Sequence, residues 1–430
     1  MAPERNKRLA EGFYRLSRAE RDARLVEREV LDAHDIALLH QDGALSFQQA
    51  NQWIENAMGA FPLPLGIAFH LVVDREEYVV PMAIEETSVI AALSSAAKWI
   101  KQKGEITTQQ MDSLGIGQIQ IPKVTNLPHI RHVIEIHKEA LLEELNQKVV
   151  PNLCKRGGGA REMQVREIAR PDGHMMVVIH LLVETCDAMG ANLINQLCEY
   201  LKSPLEELLN EKVGLCVVSN LSDTKRVQAR AIIRNIDPEL GQAITEASLF
   251  AQLDPYRAAT NNKGVLNGID ALLIATGNDW RAVGAGLHAY AARSGQYRSI
   301  TQWSMQNGCL HGVIETPLSV GIVGGVTRLH PVVQISLKML RVKSASELAR
   351  LVAAVGLVQN LAALKALATE GINKGHMKLH VGNLALAAGA STEELPLLKQ
   401  RLAEHWDTHK RLTESDAKVI LSGLRKSEEV

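Results

Sequence analysis

Residues 113 to 219 carry the pattern that most restricts how this 430-residue chain can fold. "GQIQIPKV" alternates polar and apolar side chains as a half-buried strand does, and "NLPHIRHVIEIHKEALLEELNQK" repeats its apolar residues at helical spacing. "KRGGGAR" is a glycine loop. "REMQVREIAR" and "HMMVVIHLLVET" then read as two strands joined by the turn "PDG", followed by a helix opened by "DAMGANLIN" and by the strand "VGLCVVSN". The order β-α-β-β-α-β predicts a split βαβ unit, a four-stranded antiparallel sheet with two helices on one face. At roughly 100 to 200 residues per domain the chain is expected to form two or three domains, with this unit an inserted one.

The flanking segments read differently. Residues 1 to about 57 look helical, and "DGALSFQQANQWIENAMG" predicts an amphipathic helix ended by Gly59, before the two prolines of "FPLPLG" break it. Two short β-like runs follow, "IAFHLVVD" and "EEYVVPMAI", and a helix is predicted from near Ser88. From 220 to about 370 the chain is helical and glycine-rich, interrupted by the strand-like "HGVIETPLSVGIVGG". Its longest uncharged apolar run, "LVAAVGLVQNLAAL" at 351 to 364, is shorter than the ~20 residues that a bilayer requires and predicts a buried helix. The last sixty residues open a polar helix with the capping-box pattern Ser391-x-x-Glu394 and predict a peripheral unit.

Composition removes several function classes. A formal net charge of -1 supplies no basic field for nucleic acid or an anionic membrane, and 4% aromatic residues is too few for base-stacking platforms. Cys154, Cys186, Cys198, Cys216 and Cys309 are odd in number and lack C-x-x-C spacing, so neither a disulfide framework nor a zinc knuckle is indicated, and a reducing cytoplasm is expected. "MAPERNKRLAEGFYRLSRAERD" has no apolar core and is not read as a signal peptide.

Four places hold residues suited to chemistry. In "DPYRAATNNKGVLNGIDALLIATGNDW", Arg257, Lys263 and Asp279 stand among amides, glycines and apolar residues. They fit a solvated loop with a surface ion pair, or a Lys263–Asp279 pair whose held cation stabilises an oxyanion. Glu85 and Glu86 in "IEETSVI" join an apolar strand to an apolar helix, so one carboxylate is expected to face inward and could act as a general acid. The same acids and the Ser88 hydroxyl also suit an ordinary helix N-terminus. His376 and His380 are spaced i, i+4, which permits a metal site, a structural histidine or an acid for a leaving group; the glutamate of H-E-x-x-H is absent, and Gly375 suggests a hinge. In "DAMGANLIN", Asp187 can cap a helix whose first-turn N–H groups favour an anion, and Gly190 permits close approach. The spacing is not that of a Rossmann fingerprint.

Taken together, "ENAMG" (55 to 59), "EETS" (85 to 88), "GGGARE" (157 to 162), "DAMGAN" (187 to 192), "DPYRAATNNKG" (254 to 264), "ATGNDWRAVGAG" (275 to 286), "VGGVTRLHP" (323 to 331), "ALATEGI" (366 to 372) and "GHMKLH" (375 to 380) resemble the hydroxymethylglutaryl-coenzyme A reductases of the bacterial-type, class II soluble form, over nearly the whole chain. Thr87 departs from the proline common there, and Ala57 and Met58 from the usual Val and Ile.

The resemblance implies an α+β protein with a large, mostly helical domain from residues 1–112 and 220–370 that binds the coenzyme A thioester. A ferredoxin-like NAD(P)-binding domain at 113–219 would be inserted in it, and 371–430 would form a C-terminal helical flap. It implies reduction of 3-hydroxy-3-methylglutaryl-coenzyme A to mevalonate and coenzyme A by two hydride transfers. Glu86, Lys263, Asp279 and His376 would be catalytic: Lys263 at the oxyanion, Glu86 as proton donor, Asp279 tuning the lysine, His376 protonating the departing thiolate. Ser88, Arg257, Asn267 and His380 would bind substrate, and Asp187, Met189, Gly190 and Asn192 the coenzyme. An active site at a dimer interface, within a dimer or hexamer, is implied, with no metal. Lys148, Lys155 and Arg156 around the glycine loop, with no acid in "QKVVPNLCKRGGG", lean toward NADPH over NADH. The rival readings are a metal-dependent hydrolase built on His376 and His380, and a non-catalytic module that binds coenzyme A or dinucleotide.

Overall fold

The computed structural model describes residues 9–41, 45–369, 381–391, 393–409 and 411–428. Among them, ten strands form three antiparallel sheets. They are β1 (Leu65–Val73), β2 (Glu76–Ala83), β3 (Gly104–Gln110), β4 (Leu114–Val124), β5 (Gly159–Ala169), β6 (Met175–Glu184), β7 (Cys216–Ser219), β8 (Arg226–Ile233), β9 (Thr301–Gln306) and β10 (Cys309–Pro317).

The pattern that opened the sequence reading folds as expected. Its sheet runs β5-β6-β4-β7, which in the unit's own chain order is 2-3-1-4, the ferredoxin-like arrangement. Alternate strand residues Ile119, Ile121, Val177, Ile179, Leu181 and Val183 turn to one face, where Ile130, Ile134 and Leu141 of the Leu127–Glu144 helix meet Ile194 and Leu197 of the Ala191–Tyr200 helix. These residues form a core separate from that of the flanking segments.

The larger core holds the hairpin β1-β2 and a four-stranded sheet, β3-β8-β10-β9, that the sequence reading saw only in part. "RVQARAII" does alternate, and β8 buries Val227, Ala229, Ala231 and Ile233 while Arg230 faces out, but its short side chains blur the pattern. Against this sheet lies the Ala345–Ala368 helix, buried without a break from residue 351 to 361. By length and mean hydropathy (1.7) it could cross a bilayer; instead it is the central helix of the core. It crosses the Pro255–Ala275 helix at Gly356, where a Cβ would come within 2.8 Å of Ile269 Cδ1, so a glycine sets the interhelical distance.

At the N-terminus three short helices, Arg18–Glu27, Ala33–His40 and Phe47–Trp53, each start with a capping box. The helix predicted to run to Gly59 stops at Trp53, since beyond it Met58 and Phe61 are almost fully exposed and no core face holds them. At the other end, residues 381–387 and the helices Leu395–His409 and Glu414–Glu428 surround a small core of their own. The capping box forms there: the Ser391 N–H donates to Glu394 Oε2 at 2.7 Å and the Glu394 N–H to Ser391 Oγ at 3.3 Å.

Candidate functional site

Lys263 stands on a helix, not in the solvated loop that its neighbours suggested. Asp254 caps that helix by accepting from the Arg257 N–H at 2.8 Å, Pro255 occupies the first turn, and the helix continues to Ala275 because "VLNGIDALLIA" buries against Ala345–Ala368. The two asparagines before the lysine pin it in register. Asn262 donates to the Arg298 carbonyl (2.9 Å) and accepts from the Ile300 N–H (3.1 Å). Asn261 donates to Ser299 Oγ (2.7 Å) and accepts from Asn360 (2.9 Å), whose own oxygen takes Trp303 Nε1 and Thr301 Oγ1, each at 2.9 Å. Such a buried, satisfied network holds a helix in one register. The sequence reading took "NN" only as polar amides beside the lysine; their burial and their partners emerge from the fold.

Glu86 lies in the corner after β2, and of the two acids it is the one turned inward, while Glu85 is exposed. Its carboxylate meets the Lys263 ammonium at 2.6 Å and accepts from Asn267 Nδ2 at 3.4 Å. The pairing differs from the expected Lys263–Asp279 contact. Asp279 caps the Trp280–Ala291 helix through the Ala282 N–H at 3.0 Å and lies 3.4 Å from Arg281 Nε. Nor is the lysine buried: its side chain is 61% exposed and that of Glu86 37%, so in this single chain the pair is screened and is worth no more than about 1 kcal/mol. Ser88 adopts a left-handed conformation (φ 73°) and makes no side-chain cap on the helix it begins, donating instead to the Thr87 carbonyl at 2.5 Å. Arg257 is partly buried in the first turn of the lysine helix, and burial lowers its pKa from the ordinary guanidinium value. His376 and His380 lie outside the described residues.

One acid on this helix escaped the sequence reading. Asp270 follows Lys263 and Asn267 at helical spacing on the same stripe, its Oδ1 is buried without a hydrogen-bond partner, and desolvation raises its pKa to about 6.

The "DAMGAN" turn joins the two cores. Asp187 does not cap its own helix; its carboxylate accepts from the Ala345 N–H at 2.9 Å, at the start of the central helix. The cap position belongs to Gly190 at φ +98°, a conformation that suits glycine, and no side chain bonds to the first turn of the Ala191–Tyr200 helix. Those N–H groups remain available to an anion, with Met189 partly buried and Asn192 exposed beside them. Of the basic residues near the glycine loop, Lys148 is held by Glu144 at 2.7 Å, while Lys155 and Arg156 are exposed. Among the described residues no three His, Cys, Asp or Glu side chains gather as a metal site.

A lysine–carboxylate pair carried by the large core and an open helix N-terminus on a ferredoxin-like unit belong to an α+β enzyme. Comparison with known proteins gives the particular family. The family model for hydroxymethylglutaryl-coenzyme A reductase matches residues 17–381. The chain is 42% identical to the 3-hydroxy-3-methylglutaryl-coenzyme A reductase of Archaeoglobus fulgidus over 96% of its own length and 94% of the relative's. It is 35% identical to a probable reductase of Borreliella burgdorferi over 77% of each chain. The solved reductase of Streptococcus pneumoniae superposes with a TM-score of 0.81 at 40% identity, covering 96% of this chain and 99% of that one. A class II structure from the same organism, bound to NADPH in open conformations, gives 0.80 at 40% identity, covering 84% and 99%. The chain belongs to the hydroxymethylglutaryl-coenzyme A reductase family, and its activity is that of an oxidoreductase; the hydrolase and the non-catalytic module are set aside.

Proposed function

We propose that Lys263 and Glu86 are the catalytic pair of this reductase, with Asn267 orienting the carboxylate. The observation that carries the reading is the 2.6 Å contact between two side chains 177 residues apart in sequence. A nicotinamide coenzyme, when bound, supplies the two hydrides. As the thioester carbonyl oxygen gains charge, the Lys263 ammonium stabilises it; Glu86, after taking up a proton from solvent, passes it to the oxygen when the aldehyde becomes the alcohol. His376 protonates the coenzyme A thiolate, whose expulsion is otherwise reversed. Arg257 and Ser88 hold the substrate carboxylate, with His380 as a further substrate contact.

The division of labour follows: residues 113–219 as coenzyme module, 1–112 with 220–370 as thioester module, and 371–430 as a flap. Asp187 through Asn192 form the coenzyme turn, with Met189, Gly190 and Asn192 as contacts and Asp187 fixing the turn to Ala345. The NADPH-bound relative and the exposed Lys155 and Arg156 support NADPH. A dimer, alone or within a hexamer, that builds the site across its interface is supported by the openness of the Lys263–Glu86 pair and by Asp279, which in one chain lies apart from it. A cytoplasmic location accords with the unpaired cysteines. The test is nicotinamide oxidation with 3-hydroxy-3-methylglutaryl-coenzyme A and each coenzyme. Lys263→Ala is expected to lower turnover at least about a hundredfold with the fold intact, and wild-type rates would remove its assigned role.

A further inference from the structure

Lys225 is a charged side chain that the chemistry above leaves unused. It sits between the two cores: its N–H donates to the Ser222 carbonyl (2.8 Å), and its carbonyl accepts from the Leu318 N–H (3.1 Å) just beyond β10. Its ammonium crosses to the end of β6 and donates to Thr185 Oγ1 at 2.9 Å. Lys225 is 7% exposed and Thr185 1%. Burial lowers the ammonium's pKa, opposed in part by Glu184 and Cys186 nearby. A buried cation costs folding free energy, so its presence at this joint needs a reason.

Thr185 supplies one. A hydroxyl that accepts from an ammonium has its single proton left to donate, and that proton goes to the Ala188 carbonyl at 2.8 Å. The Thr185 methyl lies 2.3 Å from where a Cβ on residue 190 would stand. The hydroxyl therefore holds residue 188, and the methyl leaves room only for glycine at 190, on the two flanks of Met189. On the far side of the turn, the Asp187 carbonyl accepts from the Ile322 N–H at 3.0 Å. The adjacent Gly321 N–H donates to Asn278 Oδ1 at 2.7 Å, one residue before Asp279.

We propose that Lys225 is a positioning residue for the coenzyme: by fixing the direction of the Thr185 hydroxyl it holds the 187–190 turn against the large core, in register with the Asn278–Asp279 turn. The proposal rests on the reading of that turn as the dinucleotide site. The test compares Lys225→Met, Thr185→Val, their double variant, Thr185→Ser and Gly190→Ala in the full-length protein, by NADPH fluorescence titration, thermal unfolding and the two KM values. Each of the first two should raise the NADPH dissociation constant about tenfold, and the double variant no further, because the lysine acts through the hydroxyl. Thr185→Ser should bind as wild type, and the thioester KM should stay within about twofold.

A folded Lys225→Met protein with wild-type NADPH affinity, additive effects in the double variant, or an equal rise in both KM values would overturn the proposal. If Lys225→Met does not fold, Thr185→Val against Thr185→Ser decides: equal affinities overturn it. Unchanged NADPH binding in Gly190→Ala as well would mean that the turn is not the coenzyme site, and both readings fall. Weakened binding in Gly190→Ala with none in Lys225→Met would remove the lysine's role alone.

Discussion

Asp270→Asn should stabilise the protein, and only at pH values where the aspartate is charged when unfolded. The carboxyl has an ordinary pKa of 3.8, its folded value is about 6, and its buried Oδ1 has no hydrogen-bond partner. The sign follows from linkage. Between about pH 4 and pH 6 the folded chain keeps a proton that the unfolded chain has lost, so stability falls as pH rises through that window and is level above it. At ~1.4 kcal/mol per pH unit the full cost above pH 7 would approach roughly 3 kcal/mol. Part of the side chain is within reach of water, which screens the penalty, and about 1–2 kcal/mol is the expected gain on replacement with neutral asparagine. Near pH 4 the gain should be less than about 0.5 kcal/mol. Thermal unfolding of wild type and variant from pH 5 to pH 8 reads this as a difference in Tm that grows with pH and then levels, by about 2–4 °C. A variant that unfolds earlier at pH 8, or a difference independent of pH, would refute the account, because either result requires the carboxylate to have a favourable partner.

Three further outcomes follow from the same geometry. Asn360→Leu leaves Asn261, Thr301 and Trp303 without their buried acceptor or donor and should cost about 2–4 kcal/mol in denaturant unfolding, with turnover falling as the lysine helix loses its register. His376→Gln should abolish thioester reduction while free mevaldehyde reduction is largely kept, because the aldehyde has no thiolate to release; equal loss of both would contradict its assignment. Arg257→Gln should raise the KM for the thioester about tenfold or more with a smaller effect on kcat, the signature of a lost carboxylate contact, and an unchanged KM would remove Arg257 from the substrate site.

Legibility in the sequence tracked the length scale of the interaction. The strand order of the ferredoxin-like unit was readable, because β5 alternates and turns such as "PDG" carry the residues that turns require, although β6 is apolar on both faces and the helix Lys202–Leu209 was not foreseen. The capping box at Ser391 is equally local and formed as expected. The sheet of the large core was read only in part: β3, ending at Gln110, pairs with β8, which starts at Arg226, and no local pattern announces that pairing, whereas the β9–β10 hairpin turns on Asn307-Gly308, a local signal that the reading missed. "DPYRAATNNKG" read as a loop for a related reason. Its asparagines and glycine disfavour a helix taken alone, and only the Asn261–Asn360 and Asn262–Ile300 bonds with the burial of Gly268 and Ile269 reverse that preference.

The candidate site shows the same division between identity and pairing. The residue types that chemistry needs were visible one by one, but which of them meet was not: Lys263 joins Glu86 instead of Asp279, and Asp187 reaches Ala345 instead of its own helix. Both departures have one cause. Each residue sits where two distant segments are bonded together: β2 packs against the lysine helix and carries Glu86 to Lys263, and the first residue of the central helix meets the turn after β6 through the Ala345–Asp187 bond. The motif residues therefore serve as joints as much as reactants. "EETS" is the corner that carries Glu86 to Lys263, "TNNKG" ties that lysine to β9, and "DAMGAN" ties the small sheet to Ala345 and Ile322. A substitution at a joint is then expected to change binding and stability together, whereas loss of Lys263, whose side chain is mostly exposed, should remove chemistry at little cost to the fold.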